Sequence, residues 1–192
     1  MQKLNQQPDI CPYFSPEFKV IPQYIIMKEG ECMELNNRTT SFFIFILSGE
    51  ITISFEQYTN RSVLENEMFF LPKNNCFKWK AVTQTVLILT GYNATIFPCT
   101  SVRARILYKI KAGVKFDCRG VVMKDEVKVV VNQMKHYLDS GINCHHMYIL
   151  KHKELYLMFK HFYTYEEIIQ IFYLILGSNP LFNERVLDNY LK

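Results

Sequence analysis

The sequence lacks the features that mark membrane-spanning, secreted and fibrous proteins. Its 192 residues include only seven glycines and seven prolines, and no biased tract or internal repeat occurs, which excludes collagen-like and solenoid chains. The longest wholly apolar run extends only from Phe42 to Leu47, far short of the ~20 residues that a membrane helix needs. The first residues, MQKLNQQPDI, are polar and unlike a signal peptide. We therefore expect a cytoplasmic protein that makes no membrane contact.

Motifs for catalysis and metal binding are also scarce. The six cysteines are scattered without a CxxC pair, so they are predicted to be free thiols. No nucleophile elbow, phosphate-binding glycine loop or His-Glu zinc motif occurs. Cys144, His145, His146 and His152 match no zinc spacing and are predicted to be surface or helix-start residues. We predict no catalytic residue, no metal site and no cofactor, and the net charge of +4 is modest for a DNA-binding protein.

The first part of the chain has the pattern of an antiparallel β-structure. From about Phe18 to about Lys115, short β-branched and aromatic runs alternate with turn residues, which is typical of a sandwich or barrel. In SFFIFILSGEITISF, the uninterrupted apolar run predicts a strand buried on both faces, followed by a turn and an alternating strand. Further strands are predicted at Met68–Leu71, Phe77–Ala81 and Thr85–Thr90.

After Gly120 the apolar residues follow a helical period. A first helix is predicted to end before Gly141, and a second to run from about His146 to Tyr163. A third begins with a capping-box pattern at Thr164 and Glu167 and ends at Gly177, and NERVLDNYLK predicts one more. The apolar stripes of the first two helices are Val127, Val130, Val131, Met134 and Leu138, then Leu155, Met158, Phe159 and Phe162. The predicted organisation is an N-terminal arm (1–17), a barrel (18–120) and a helical region (121–192).

A strand ending in Ser-Gly-Glu, a second strand and then MFFLPKNNCF resemble the small β-barrel of the cupins. The resemblance implies an α+β protein in which a cupin-like antiparallel barrel of jelly-roll type is followed by helices. It places the usual cupin metal ligands at Asn36 or a neighbour, Arg38, Phe42 and Phe77. These side chains lack the imidazoles and carboxylates that hold a divalent ion, so the metal-dependent cupin enzymes are disfavoured.

The cupin resemblance also implies which side chains point into the barrel. Inward aromatic walls with Arg38 as a polar anchor would form an effector pocket, whereas the alternative is that the same aromatics simply fill a small barrel. The candidate ligand-binding residues of the barrel interior are Arg38, Phe42, Ile44, Phe77 and Trp79.

The helical part resembles a specific family. CHHMYILKHKELYLMFKHFYTYEEIIQIFYLILG and FNERVLDNYLK are similar to the linker region of AraC-family transcription regulators with an N-terminal cupin-like sensor. In that family a helix-turn-helix DNA-binding region follows, and it is absent from this chain. The resemblance implies a truncated regulator that binds DNA only through the missing C-terminal domain.

These observations favour a ligand-sensing and dimerisation domain of an AraC-type transcription regulator, which is not an enzyme. The amphipathic helices within 125–163 are expected to form a homodimer, and an unidentified small molecule is the expected effector. Two alternatives remain: a metal-independent, isomerase-like cupin enzyme and a purely structural dimerisation module.

Overall fold

A computed structural model of the chain describes residues 22–56, 58–92 and 119–177. Within these ranges nine strands precede three helices. The predicted arm (1–17) and the predicted helix at NERVLDNYLK lie outside the described residues. The strands are β1 Gln23–Met27, β2 Cys32–Asn37, β3 Ser41–Ser48, β4 Glu50–Phe55, β5 Tyr58–Leu64, β6 Glu67–Leu71, β7 Asn75–Ala81, β8 Thr85–Tyr92 and β9 Val121–Val122, and the helices are α1 Asp125–Asp139, α2 His145–Phe162 and α3 Tyr165–Gly177.

The strands form two antiparallel sheets in jelly-roll order. One sheet has the order β1-β8-β3-β6-β9 and the other β2-β7-β4-β5. Strands that are far apart in the chain pair directly. For example, Gln23 of β1 lies opposite Leu89 of β8. Two packed sheets with this strand order are the jelly-roll architecture that cupins share. The predicted α+β class, a cupin-like antiparallel barrel followed by helices, is confirmed.

Strand β3 is buried on both faces, as its apolar run predicts. Ile44 and Ile46 belong to the core between the two sheets. Phe43 and Phe45 point to the opposite side and pack in a second core beneath the helices. Because side chains alternate along a strand, one apolar run serves two separate cores.

The three helices cover the outer face of the β1-β8-β3-β6-β9 sheet. Helix α1 contributes Val127, Val130, Val131 and Met134, all buried. The buried apolar side chains of α2 and α3 complete the core, and they are Tyr148, Leu155, Phe159, Ile168, Ile169, Ile171 and Phe172. This layer is the reason why the outer face of the sheet is apolar.

Local signals in the sequence define two of the helix ends. The Thr164 N–H donates to Oε2 of Glu167 at 2.8 Å, and the Glu167 N–H donates to Oγ1 of Thr164 at 3.3 Å, which confirms the predicted capping box. After α1, the Gly141 N–H donates to the carbonyl of Leu138 and the Ile142 N–H to that of Tyr137, each at 2.9 Å. This pair of bonds is a Schellman motif, so the predicted stop at Gly141 is confirmed.

Hydrogen bonds of Tyr163 connect the segment before α1 to the junction between α2 and α3. Its hydroxyl accepts a hydrogen bond from the Lys124 N–H at 2.8 Å and donates one to the carbonyl of Val122 at 3.0 Å. Nζ of Lys124 also pairs with Glu167 at 2.9 Å. Burial raises the pKa of Tyr163 to about 12. The phenol therefore stays protonated and joins the β9–α1 junction to the α2–α3 junction.

Replacement of two turn glycines by alanine should separate backbone strain from steric clash. Gly30 and Gly49 both have positive φ, at 76° and 85°. A Cβ at position 30 meets nothing within 4 Å, whereas one at position 49 lies 2.9 Å from Cα of Thr85 and also meets the carbonyl of Gln84. We expect Gly30→Ala to cost about 1–2 kcal/mol and Gly49→Ala about 1–3 kcal/mol more, measured as free energies of urea unfolding. Equal losses would contradict this assignment.

Candidate functional site

Four of the five candidate residues lie in the barrel interior, as the cupin resemblance implies. Ile44 and Phe77 are fully buried, Trp79 is 2% exposed, and Phe42 is partly buried against the same core. The rings of Phe55 and Phe77 have centroids 4.6 Å apart. The two lysines beside Trp79 are exposed. The interior is therefore lined by packed aromatic and aliphatic side chains.

The expectation that Arg38 points inward is wrong. Arg38 follows the end of β2 and is exposed, and Asn36 is exposed as well. The inward position is Asn37, which is 3% exposed and whose Nδ2 donates to the carbonyl of Pro72 at 2.7 Å. This bond holds the Asn37 side chain inward at the strand end, and the guanidinium remains in solvent, where a charge is hydrated.

The barrel interior contains two buried polar atoms that lack a hydrogen-bond partner in the part of the chain that the structure describes. They are the indole N–H of Trp79, a donor, and Oδ1 of Asn37, an acceptor. Such atoms are uncommon in native proteins because an unpaired buried polar group is costly. The interior thus offers apolar walls with one free donor and one free acceptor.

The residues at the cupin metal-ligand positions do not fit a metal ion. Arg38, Phe42 and Phe77 offer neither imidazole nor carboxylate. Across the described ranges no group of three or more His, Cys, Asp or Glu side chains could hold a metal ion. Three of the cysteines predicted to be free lie in these ranges and are free thiols, namely Cys32, Cys76 and Cys144, while the other three lie outside them.

His145 and His152 were predicted to be surface or helix-start residues. His145 is the first residue of α2, as predicted, whereas His152 lies within the helix, and both are buried. His145 is 7% exposed and His152 is 5% exposed. Nε2 of His152 lies 2.8 Å from Oγ1 of Thr90 on β8. Burial lowers the pKa of His152 to about 4, with a further contribution from His145, and burial followed by the charge of His146 lowers the pKa of His145.

The spacing of apolar residues along α2 indicates the burial of these two histidines. His145, Tyr148 and His152 lie at spacings of three and four residues, and they extend the apolar face that continues through Leu155 and Phe159. The predicted stripe included Phe162, which is 40% exposed. The buried face of α2 is therefore rotated away from Phe162 towards the two histidines.

Comparisons with known proteins yield similar solved structures but no family. No protein-family model matches the chain, and no curated protein matches it. The cupin domain of Schizosaccharomyces pombe Cnp3 is similar over 39% of this chain and 53% of its own, with 18% identity and a TM-score of 0.35. Drosophila melanogaster CENP-C bound to CAL1 is similar over 38% and 63%, with 11% identity and a TM-score of 0.35.

A third similar structure is FeII HppE in complex with substrate, which matches over 37% of this chain and 44% of its own, with 14% identity and a TM-score of 0.34. Each of these alignments covers less than two-thirds of the other chain. The prediction that the chain is not an enzyme is corrected, because the similar structures include FeII HppE in complex with substrate. Among the described helices none is long and apolar enough to cross a membrane.

The burial of His152 predicts a loss of stability in mild acid. The unfolded chain takes up a proton at this ring near pH 6.5, whereas the folded chain does so only at about 4. The contribution of His152 to stability should therefore decline as the pH falls through 6.5 and be fully lost below about 4. The loss from His152 should be on the order of 3 kcal/mol, measured by urea unfolding across this pH range.

The matched comparison is His152→Gln with His161→Gln, since His161 is exposed on the same helix. We expect the first substitution to flatten the pH profile and the second to leave it as in the unmodified chain. An unchanged profile in His152→Gln would contradict the assignment.

Proposed function

We propose that this chain is the ligand-sensing and dimerisation part of an AraC-type transcription regulator, with an effector site in the barrel interior and a homodimer contact on the helical layer. The barrel interior supplies a buried donor on Trp79 and a buried acceptor on Asn37, neither of which has a hydrogen-bond partner among the described residues. The helical layer supplies a surface for a second copy. DNA binding belongs to the domain that the family resemblance expects after this chain.

The observation that carries the proposal is a pair of exposed leucines on helix α2, away from its buried face. One face, with Tyr148, Leu155 and Phe159, is buried on the sheet. On another face Leu150 and Leu157 are 62% and 57% exposed. They are seven residues apart and thus on the same side of the helix. The described part of the chain therefore leaves these two leucines exposed, and the pair suits a helix-to-helix contact.

Strand β3 offers a physical connection between the two proposed sites. Ile44 and Ile46 line the barrel interior, and the adjacent Phe43 and Phe45 pack against the helices. A ligand that displaces this strand therefore changes the support of α2. The proposed regulation follows from this coupling, because the position of α2 sets the dimer contact.

The dimer contact predicts a change of oligomeric state on substitution of the two leucines. The double variant Leu150→Glu, Leu157→Glu should convert a dimer into a monomer, because burying carboxylates at an apolar contact is unfavourable. Sedimentation equilibrium measures the association. Ile26→Glu is the matched control, since Ile26 is 56% exposed on strand β1, and it should remain dimeric. A monomeric unmodified chain, or a double variant that stays dimeric, would contradict this contact.

The effector site predicts that ligands perturb the barrel indole. Trp79 is the only tryptophan in the chain, so its indole ¹H–¹⁵N resonance reports on the barrel interior alone. A panel of monosaccharides, nucleobases and small aromatic acids should contain a compound that shifts this resonance saturably. Substituting Trp79→Phe should weaken the binding of that compound by about two- to tenfold, the effect of one hydrogen bond, as measured by isothermal titration calorimetry.

The outcomes of the panel separate the candidate functions. No shift with any compound at millimolar concentration would contradict the effector site and support a purely structural dimerisation module. Chemical conversion of a bound compound would place the chain among the enzymes of this fold. Binding without conversion supports the sensor.

A further inference from the structure

Helix α2 carries two ionisable side chains on its buried face. His145 and His152 are seven residues apart and therefore on the same side of the helix, and both are buried. The other buried residues of α2 are Tyr148, Leu155 and Phe159. Two of the five buried side chains of this helix can thus acquire a charge, although the core around them is mainly aromatic and aliphatic.

The contacts of the two rings do not accommodate a charged imidazole. Nε2 of His152 lies 2.8 Å from Oγ1 of Thr90 on β8, whereas its Nδ1 has no hydrogen-bond partner among the described residues. The same is true of Nε2 of His145. A protonated imidazole carries an N–H donor on both nitrogens. Each charged ring would therefore bury a donor that the described part of the chain does not satisfy, which is unfavourable.

The charges close to the two rings also oppose protonation. Burial lowers the pKa of His152 to about 4, with a contribution from His145, and burial followed by the charge of His146 lowers the pKa of His145. His145 is also the first residue of α2, where the helix dipole disfavours a positive charge. Cys144, which precedes it, is a free thiol and thus uncharged in acid. Both rings therefore take up protons more easily once α2 has left its site.

The elements packed around His152 do not offer a compensating charge. The described residues that line a cleft together with it are Phe43 of β3, Tyr92 of β8, Phe172 of α3 and Leu155, Tyr156 and Phe159 of α2. The two tyrosines are the titratable members of this set, and a phenol carries no charge in mild acid. Glu154, two residues further along α2, pairs with Lys151 at 2.7 Å, and Lys151 also binds Gln133 of α1. The described lining thus holds no carboxylate to balance a proton on His152.

The barrel has a core of its own that does not depend on α2. The side chains between the two sheets, including Trp79, all belong to strands. The helices contribute to the separate core on the outer face of the sheet. Separation of α2 would expose Phe43 and Phe159 and leave the core between the sheets intact. The helical layer can therefore open without unfolding of the barrel.

We propose that His145 and His152 form an acid-sensitive switch, in which their protonation separates α2 from the barrel sheet while the barrel stays folded. At neutral pH both rings are uncharged and α2 is docked. In acid the separated state is favoured, because there both rings are hydrated and hold their protons. The switch goes beyond the proposed function, since it requires no effector in the barrel.

Hydrogen–deuterium exchange of the full chain, measured by mass spectrometry at neutral pH and at about pH 5, tests the switch. After correction for the intrinsic exchange rate, the opening constant of the α2 amides should rise roughly twentyfold from His152 alone, because the released ring titrates near 6.5 and the docked ring at about 4. At the lower pH the α2 amides should be at least about tenfold less protected than those of β4 and β7. The fluorescence of Trp79 should remain that of a buried indole.

The double variant His145→Gln, His152→Gln should remove the dependence of α2 opening on pH. The matched control is His161→Gln at the exposed histidine of the same helix, which should retain it. If the double variant fails to fold, the unmodified chain decides the question through the difference between α2 and the barrel strands.

Two results would overturn the switch. One is an opening constant of α2 that is the same at both pH values. The other is equal protection of α2, β4 and β7 at about pH 5, because the chain would then open as a single unit. Neither result bears on the effector site, since no ligand is present in the experiment.

Discussion

Strand β3 has no polar face, and the architecture follows from the need to cover it on both sides. The second sheet covers Ile44 and Ile46, and the helices cover Phe43 and Phe45. Removing each such side chain from water contributes roughly 1.5–3 kcal/mol. A barrel alone would leave the two phenylalanines exposed, so the helical layer is required by the strand at the centre of the sheet.

Covering the outer face of the sheet also buries groups that would otherwise be hydrated. Thr90 lies on that face, and His152 of α2 meets it there. Burying an imidazole with only one of its nitrogens engaged is unfavourable, and burial holds its pKa low. The helical layer therefore gains stability from apolar burial and loses some of it by burying the His152 imidazole. Sites with such a cost are where function is most often found.

Strong local patterns made much of the fold predictable. The apolar run of β3, the capping box at Thr164 and the stop at Gly141 were all recognised from neighbouring residues, because backbone chemistry fixes them locally. The direction of Arg38 was not predictable, since a shift of one residue reverses every side chain of a strand. The pairing of β2 with β7 that sets this register, and the hydrogen bond from Asn37 to Pro72, join distant parts of the chain.

The environment of His152 could not be read from the sequence either, since its partner lies on another element, although the helical spacing of His145, Tyr148 and His152 predicts a common face. The exposure of the two leucines of α2 was likewise not predictable, because periodicity identifies apolar positions without showing which neighbour covers them. In both cases the missing information was the packing of helices on the sheet.

The pairing of β1 with β8 has a consequence for how the chain folds. The first strand of the sheet finds its partner only after the other barrel strands have been synthesised. Contacts between residues so distant in sequence delay folding, and jelly-roll barrels accordingly belong with the slow folders. Until β8 arrives, β1 has no strand partner and can pair with another chain. The nascent chain is therefore most prone to aggregation before its sheet closes, and the helices are made last.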